Sequence, residues 1–185
     1  MQRLSVIVVL AAGLAAGSAH AMADGFEFSA DAFRQSLAAR LKQDGREAMS
    51  GCRPISSTEI DCRFRGDPNA GARGLLAHID HSEHMALTID GKKLMQITLN
   101  GQRNTPAAQQ HFIGIVTSAV GALTPGLDKA KVDAIVGELG LTRGDDAPNI
   151  GEGMGHREPG WRIDCLNQFS QVATDIACTI VPGGA

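Results

Sequence analysis

The densest group of metal-capable side chains lies between residues 76 and 84. It contains three imidazoles and two carboxylates: His78, Asp80, His81, Glu83 and His84. In an extended segment, His78, Asp80 and His84 would share one face and His81 would lie on the other. Zinc and copper accept imidazole and carboxylate ligands, so one hypothesis is a metal site. Its ligands would be His78, Asp80, His81 and His84. The competing interpretation is a solvated polar turn between strands.

A second segment with chemical groups, residues 151–158, contains three alternating glycines, at positions 151, 153 and 155. Alternating glycines also occur in phosphate-binding loops, but those loops need a strand before them and a helix directly after. Here a strand is expected after the glycines instead. Because residues 142–160 are rich in glycine and proline, we expect a flexible loop there. Met154, His156 and Arg157 then become a candidate partner-binding surface.

Motifs specific to catalysis are missing from the sequence, which contains neither G-x-S-x-G nor H-E-x-x-H. The acidic pair Asp145 and Asp146 falls in the glycine-rich stretch, where solvated charges are ordinary. Catalytic groups converge in space rather than in sequence, so catalysis, including hydrolysis of an unknown type, stays open. The sequence favours a non-catalytic binding module without a cofactor. The alternative is a metal-binding protein or metal-dependent enzyme that uses the histidine cluster.

Four cysteines form two local pairs along the chain. An even cysteine count in an exported protein favours disulfides. The residues between Cys52 and Cys62, and between Cys165 and Cys178, each read as strand, turn and strand. Facing residues in such a hairpin lie about 4.5 to 5.5 Å apart at Cα, which a disulfide tolerates. We therefore predict Cys52–Cys62 and Cys165–Cys178. Four thiolates around zinc are the weaker alternative, because C-x2-C is missing.

Residues 1–23 show the three-part order of a secretory signal peptide. A basic start ending at Arg3 precedes an apolar run over residues 4–16, and small residues follow up to Ala23. We expect cleavage after Ala21 or after Ala23. The apolar run is shorter than the roughly 20 residues that a spanning helix needs. We therefore expect a periplasmic or secreted protein, a single domain over 24–185, without stable membrane insertion.

Charge and aromatic content narrow the class of partner. The formal net charge is −3, and removing the signal removes Arg3 and no acid. A mildly acidic chain without a basic stripe argues against binding of nucleic acid. The chain has no tyrosine and one tryptophan, which argues against stacking sites for sugars or bases. The partner we expect is another extracytoplasmic protein.

The remaining patterns predict the elements that position these groups. Ser29, Thr105 and Asp128 are predicted to cap three helices, and Asp90-Gly91 predicts a hairpin with a type I′ turn. Glycine-rich residues 66–74 are expected to form a loop. The predicted fold is a single α+β domain with a mostly antiparallel sheet of about six or seven strands. We expect the three helices to pack on one face of the sheet. The predicted order of elements is α-β-β-(β)-β-β-α-α-β-β.

In architecture and cysteine placement, the chain resembles small exported inhibitors of β-lactamase, which combine helices and antiparallel sheet with a disulfide hairpin in each of two repeats. This resemblance, confined to architecture, implies an inhibitor-like, protein-binding role. The chain departs from those inhibitors in having no tyrosine, whereas they expose abundant aromatic residues to their partner.

Residues 58–64 also resemble residues 174–180. That likeness fits either a duplicated unit or convergence on a common strand pattern.

Overall fold

The computed structural model describes residues 25–46, 49–65, 83–102, 105–141, 153–170 and 173–183. These residues form three helices and one open antiparallel sheet of seven strands, the predicted α+β class. The signal segment 1–23 and the predicted loop 66–74 lie outside the described residues. The elements are α1 (Ala30–Gln43), β1 (Met49–Pro54), β2 (Glu59–Phe64), β3 (His84–Asp90), β4 (Lys93–Gln102), α2 (Pro106–Leu123), α3 (Lys129–Glu138), β5 (Gly153–Glu158), β6 (Trp161–Ser170) and β7 (Ala173–Pro182).

The helices begin where the sequence predicts, because each start carries a capping side chain. The Ser29 hydroxyl accepts a hydrogen bond from the backbone N–H of Ala32 at 3.2 Å. Thr105 and Asp128 do the same for α2 and α3, at 3.1 Å and 2.8 Å. Among the described helices, none is long and apolar enough to cross a membrane.

The strands lie in the order β1-β2-β3-β4-β7-β6-β5, and every neighbouring pair is antiparallel. The sheet thus joins two meanders, β1 to β4 and β5 to β7, through the pairing of β4 with β7. Helices α2 and α3 connect the two meanders along the chain. Within the described residues, β1 and β5 are the two edges of the sheet.

Alternation along the strands gives the sheet an apolar face and a polar face. On the apolar face one row crosses all seven strands: Cys52, Cys62, Met85, Leu99, Cys178, Cys165 and Met154. The five central members of this row are buried. On the polar face the adjacent row is Arg53, Asp61, Ala86, Thr98, Thr179, Asp164 and Gly155. We call the two sides of the sheet that carry these rows the apolar face and the polar face.

Helix α2 packs on the sheet through the ring of Phe112. A Cβ added to Gly101 on β4 would lie 2.1 Å from that ring, so only glycine lets the ring approach the strand. Buried residues of α1, α2 and α3 belong to the same core as the apolar face. Contacts in the described residues join α1 to α2, α2 to α3 and β4, and α3 to β5.

Two local predictions need correction. Residues 153–158, expected within a flexible loop, form strand β5, while residues 142–152 lie outside the described residues. Exposed glycines alternate with half-buried Met154 and His156, which is the burial pattern of a strand. Because glycine is rare inside strands, its frequency here favours a loop in a sequence-based prediction. Strand β5 is therefore a third strand after α3 where two were predicted, and the optional strand predicted before β3 falls on residues that lie outside the described ones. The β3–β4 hairpin is present, but its first central residue, Gly91, has φ +59° and the second has negative φ. This matches a type II′ turn rather than type I′.

The two disulfide hairpins occupy different places in the sheet. The β1–β2 hairpin contains an edge strand, whereas β6 and β7 are both interior strands. A duplication that superimposed the two hairpins would place them at equivalent positions. The sheet order therefore favours convergence on a common strand pattern over that duplication.

Candidate functional site

Both predicted disulfides are present, and they determine the direction of the backbone groups around them. Cys52 faces Cys62 and Cys165 faces Cys178, each pair with Cα atoms 4.0 Å apart. The described residues contain no free cysteine. So short a separation is typical of a non-hydrogen-bonded antiparallel pair, in which the backbone N–H and C=O groups point away from the partner strand.

This geometry exposes the backbone of β5. Because Cys165 does not bond toward β7, its N–H and C=O bond toward Met154 on β5. Hydrogen bonding alternates along a strand, so Gly153, Gly155 and Arg157 direct their N–H and C=O groups away from β6. Strand β6 is the only neighbour of β5 among the described strands. The outer edge of β5 therefore presents three residues for main-chain pairing, and we call it the β5 edge.

The opposite edge of the sheet, strand β1, is less suited to pairing with an added strand. Strand β1 has a register shift between Met49 and Gly51. By the same alternation from Cys52, Pro54 faces the outer edge, and proline has no N–H to offer. Bulges and prolines are common devices against strand addition at an edge. Strand β5 has an unbroken register and contains no proline.

Two arginines face each other beside the β5 edge. Arg157 on β5 lies directly opposite Arg162 on β6, and both are exposed on the polar face. Arg162 Nε lies 3.5 Å from Asp164 Oδ2. Among the described residues, no carboxylate lies within ion-pair distance of Arg157. Like charges at directly opposite positions destabilise a strand pair, so this arrangement favours a bound anionic group.

Next to the arginines, glycine occupies the two remaining positions of β5 on the polar face. Gly153 and Gly155 have no side chains, and Leu166 beside Gly153 is 38% exposed. A Cβ at Gly153 would lie 3.8 Å from Leu166 Cδ1, an ordinary contact distance. A Cβ at Gly155 would lie 2.4 Å from Asp164 Oδ1. Along the edge, the polar face thus presents a cation, then a carboxylate, then an apolar surface.

His156 anchors β5 from the other side of the sheet. Its Nδ1 lies 2.6 Å from Glu138 Oε2 at the end of α3, and its Nε2 lies 3.1 Å from Glu158 Oε1. The ring also lies beside Trp161, with centroids 6.2 Å apart. Partial burial alone lowers the pKa of His156, but hydrogen bonds to the two carboxylates, with their charges, raise that pKa above 6.5.

The three residues predicted as a partner-binding surface are therefore divided between the two faces. Met154 and His156 are half-buried on the side of α3, whereas Arg157 is exposed on the polar face. The residues that sequence reasoning missed here are Arg162 and Leu166. Hairpin alternation alone places them beside Arg157 and Gly153, once β5 is recognised as a strand.

Of the predicted metal ligands, only His84 lies within the described residues. His84 begins β3, with its Nε2 3.2 Å from Asn100 Nδ2. His78, Asp80 and His81 lie outside the described residues. Within the described ranges, no three His, Cys, Asp or Glu side chains are grouped as a metal site would require. The metal hypothesis stays a prediction.

Beside His84 lies a pair that the sequence did not predict. Glu83 is fully buried and contacts Nδ1 of His111 on α2, whose side chain is 22% exposed. The two residues are 28 positions apart and belong to different elements, so no local spacing signals their contact. The pair ties the start of β3 to α2.

A second charged group lies on the polar face near β1. Asp61 is only 4% exposed, although its strand face carries no core residue. Its Oδ2 lies 3.2 Å from Arg63 Nε and 3.9 Å from Arg53 Nε. Both arginines beside Asp61 therefore have a carboxylate within ion-pair distance, whereas Arg157 has none among the described residues.

Comparisons with protein-family models, with curated proteins and with solved structures found no match to this chain.

Proposed function

We propose that this protein is an exported, non-catalytic binding module that takes an extended segment of a partner protein onto the β5 edge. The observation that carries the proposal is the difference between the two sheet edges. The β1 edge is interrupted by a register shift and a proline, whereas the β5 edge is regular and open among the described residues. Addition of a strand to an open edge is a common mode of peptide recognition.

Export is supported by two independent features. Residues 1–23 have the pattern of a signal peptide. Two disulfides staple neighbouring strands, and disulfides persist mainly in oxidising compartments. They also fix the registers of β1–β2 and β6–β7, so the strand that supports β5 is held in place before any partner arrives. A preformed edge loses little conformational entropy on binding.

The proposal is tested by panning a displayed library of random dodecapeptides against the purified chain with both disulfides intact. We expect enriched peptides whose binding protects the amides of Gly153, Gly155 and Arg157 from hydrogen exchange. Two versions of each peptide are compared, one N-methylated at every odd residue and one at every even residue. Only alternate residues direct their N–H groups to the β5 edge, so one version should lose binding and the other should keep it.

The matching protein variant is Gly155→Pro, which removes an N–H at the β5 edge without removing a bond to β6. Gly155→Ala is its control, because it adds a Cβ near Asp164 and keeps the N–H. Peptide binding should be lost with proline and retained with alanine. The proposal fails if no peptide is enriched, if protection lies elsewhere, or if N-methylation has no effect in either version.

A further inference from the structure

We infer that the segment bound at the β5 edge carries a carboxylate side chain opposite Arg157 and a large apolar side chain four residues further on, opposite Gly153. This inference rests on the proposed function and adds the chemistry of the partner. It follows from three neighbouring positions on the polar face of β5, each of which would face one alternate residue of an added strand.

The first position is Arg157. A residue paired with it would place its Cβ about 4.5 to 5.5 Å from that of Arg157. On the other side of Arg157 stands Arg162, which pairs with Asp164, so beside an uncharged partner residue Arg157 faces a second cation and has no carboxylate of its own among the described residues. An Asp or Glu at this position relieves their repulsion and forms a charge-assisted hydrogen bond with the guanidinium of Arg157. Lys or Arg there would add a third cation in one row.

The second position is Gly155, where the Asp164 carboxylate lies over the strand. The 2.4 Å approach of a Cβ at Gly155 to Asp164 Oδ1 shows how closely that carboxylate covers the backbone. A second acidic side chain on the added strand would approach the Asp164 carboxylate across Gly155, which has no side chain to separate them, and two like charges at short distance repel each other. This middle position therefore selects against Asp and Glu, so the recognised segment carries a single acid and not an acidic run.

The third position is Gly153, whose missing side chain leaves Leu166 uncovered. Leu166 is one of two large apolar side chains exposed among the described residues. A Leu, Met or Phe opposite Gly153 can reach across the bare glycine and bury this surface, which is favourable at about 25 cal/mol per Å². The gain requires a long side chain, because the residue must span the width of one strand.

The direction of the added strand sets the order of these residues. Every pair in the sheet is antiparallel, and antiparallel pairing is slightly more stable per residue than parallel pairing. An antiparallel strand meets Arg157 first, then Gly155, then Gly153. The recognised sequence is therefore acid-x-x-x-apolar, read from its amino end.

The probe is the acetylated and amidated heptapeptide Thr-Glu-Thr-Thr-Thr-Leu-Thr, titrated into the full chain and followed by amide chemical shifts. We expect binding at the β5 edge that weakens about fivefold to tenfold when Glu becomes Lys or when Leu becomes Thr. The reversed order Thr-Leu-Thr-Thr-Thr-Glu-Thr and the doubly acidic Thr-Glu-Thr-Glu-Thr-Leu-Thr should also bind more weakly.

Charge exchange gives the decisive comparison. Arg157→Glu should weaken the Glu peptide and strengthen the Lys peptide, whereas Arg53→Glu, the same change at the opposite edge of this face, should alter neither. If all the peptides perturb the β5 amides equally, the proposed function stands and this inference is wrong. If no peptide, from this set or from the library, perturbs those amides, the proposed function itself fails.

Discussion

Nδ1 of His156 lies 2.6 Å from Oε2 of Glu138, a contact that joins the middle of β5 to the last turn of α3. With Glu158 on the other ring nitrogen, the imidazole is held between two carboxylates. As an imidazolium, His156 can donate an N–H to each of them, whereas the neutral ring can donate only one. The number of hydrogen bonds that His156 donates to these two carboxylates therefore depends on its protonation.

This dependence has a definite sign. The pKa of His156 is raised in the folded protein above 6.5, so its stabilising contribution is complete below pH 6.5 and is lost as the pH rises through the folded pKa. We expect His156→Gln to destabilise the protein by on the order of 1 kcal/mol at about pH 5.5 and by less at about pH 8.5. Urea unfolding at both values measures the difference.

The variant Glu138→Gln is the control, because it removes one carboxylate and should lower the pKa of His156. An NMR titration of the imidazole reports that pKa directly. A measured value at or below 6.5 in the unmodified protein would contradict this account of His156.

The two disulfides should differ in accessibility although their loops are similar, with separations of 10 and 13 residues. Cys52 is half-buried on an edge strand, whereas Cys165 and Cys178 are buried in the interior. Native-state reduction followed by alkylation and mass analysis should therefore label Cys52 and Cys62 first. Removing either bridge by paired Cys→Ser substitution should lower the unfolding free energy by about 3 kcal/mol. Simultaneous labelling of all four thiols would contradict the assigned difference in burial.

The contact between Phe112 and Gly101 sets the distance of α2 from the sheet. Gly101→Ala should lower the unfolding free energy by about 1 to 3 kcal/mol, because the new methyl group meets a rigid ring in a packed core. Gly51→Ala is the matched control on an exposed strand, where an added Cβ meets nothing within 4 Å. Equal stability of the two variants in urea unfolding would show that the ring moves aside freely.

The proposed export predicts a specific mature form. The native product should begin at Met22 or Asp24, and its intact mass should be reduced by the hydrogens lost in two disulfides. Mass spectrometry before and after reduction tests both statements together. An intact Met1 with free thiols in the native product would refute the proposal of export.

The metal hypothesis is tested separately by calorimetric titration with zinc and with copper. If the cluster is a site, either metal binds with a dissociation constant below the millimolar range, and binding is lost in the triple His78→Ala, His81→Ala, His84→Ala variant. Only His84 of these lies in the described residues, where it contacts Asn100. Binding unchanged in the triple variant would refute the cluster as the site.

The sequence alone determined the features that depend on neighbouring residues. Caps at Ser29, Thr105 and Asp128 were predictable because a capping side chain bonds to a residue three positions away. Both disulfides were predictable because each closes a local hairpin, and the α+β class followed from the two periodicities. The sequence did not predict strand β5, because glycine has no side chain and therefore gives no alternation of apolar and polar residues, and because glycine-rich segments are more common in loops.

Only the tertiary structure decided which strands are edges and which side chains meet across elements. Pairing of β4 with β7 places residues such as Leu99 and Cys178 side by side, and no local pattern specifies that partner. Within the described sheet, the same pairing leaves β5 at the edge, so Arg157 and Gly153 have a neighbouring strand on one side only. Periodicity reports which face of a strand is buried, but the choice of neighbour depends on the packing of the whole core. For that reason the candidate site emerges only in the folded sheet.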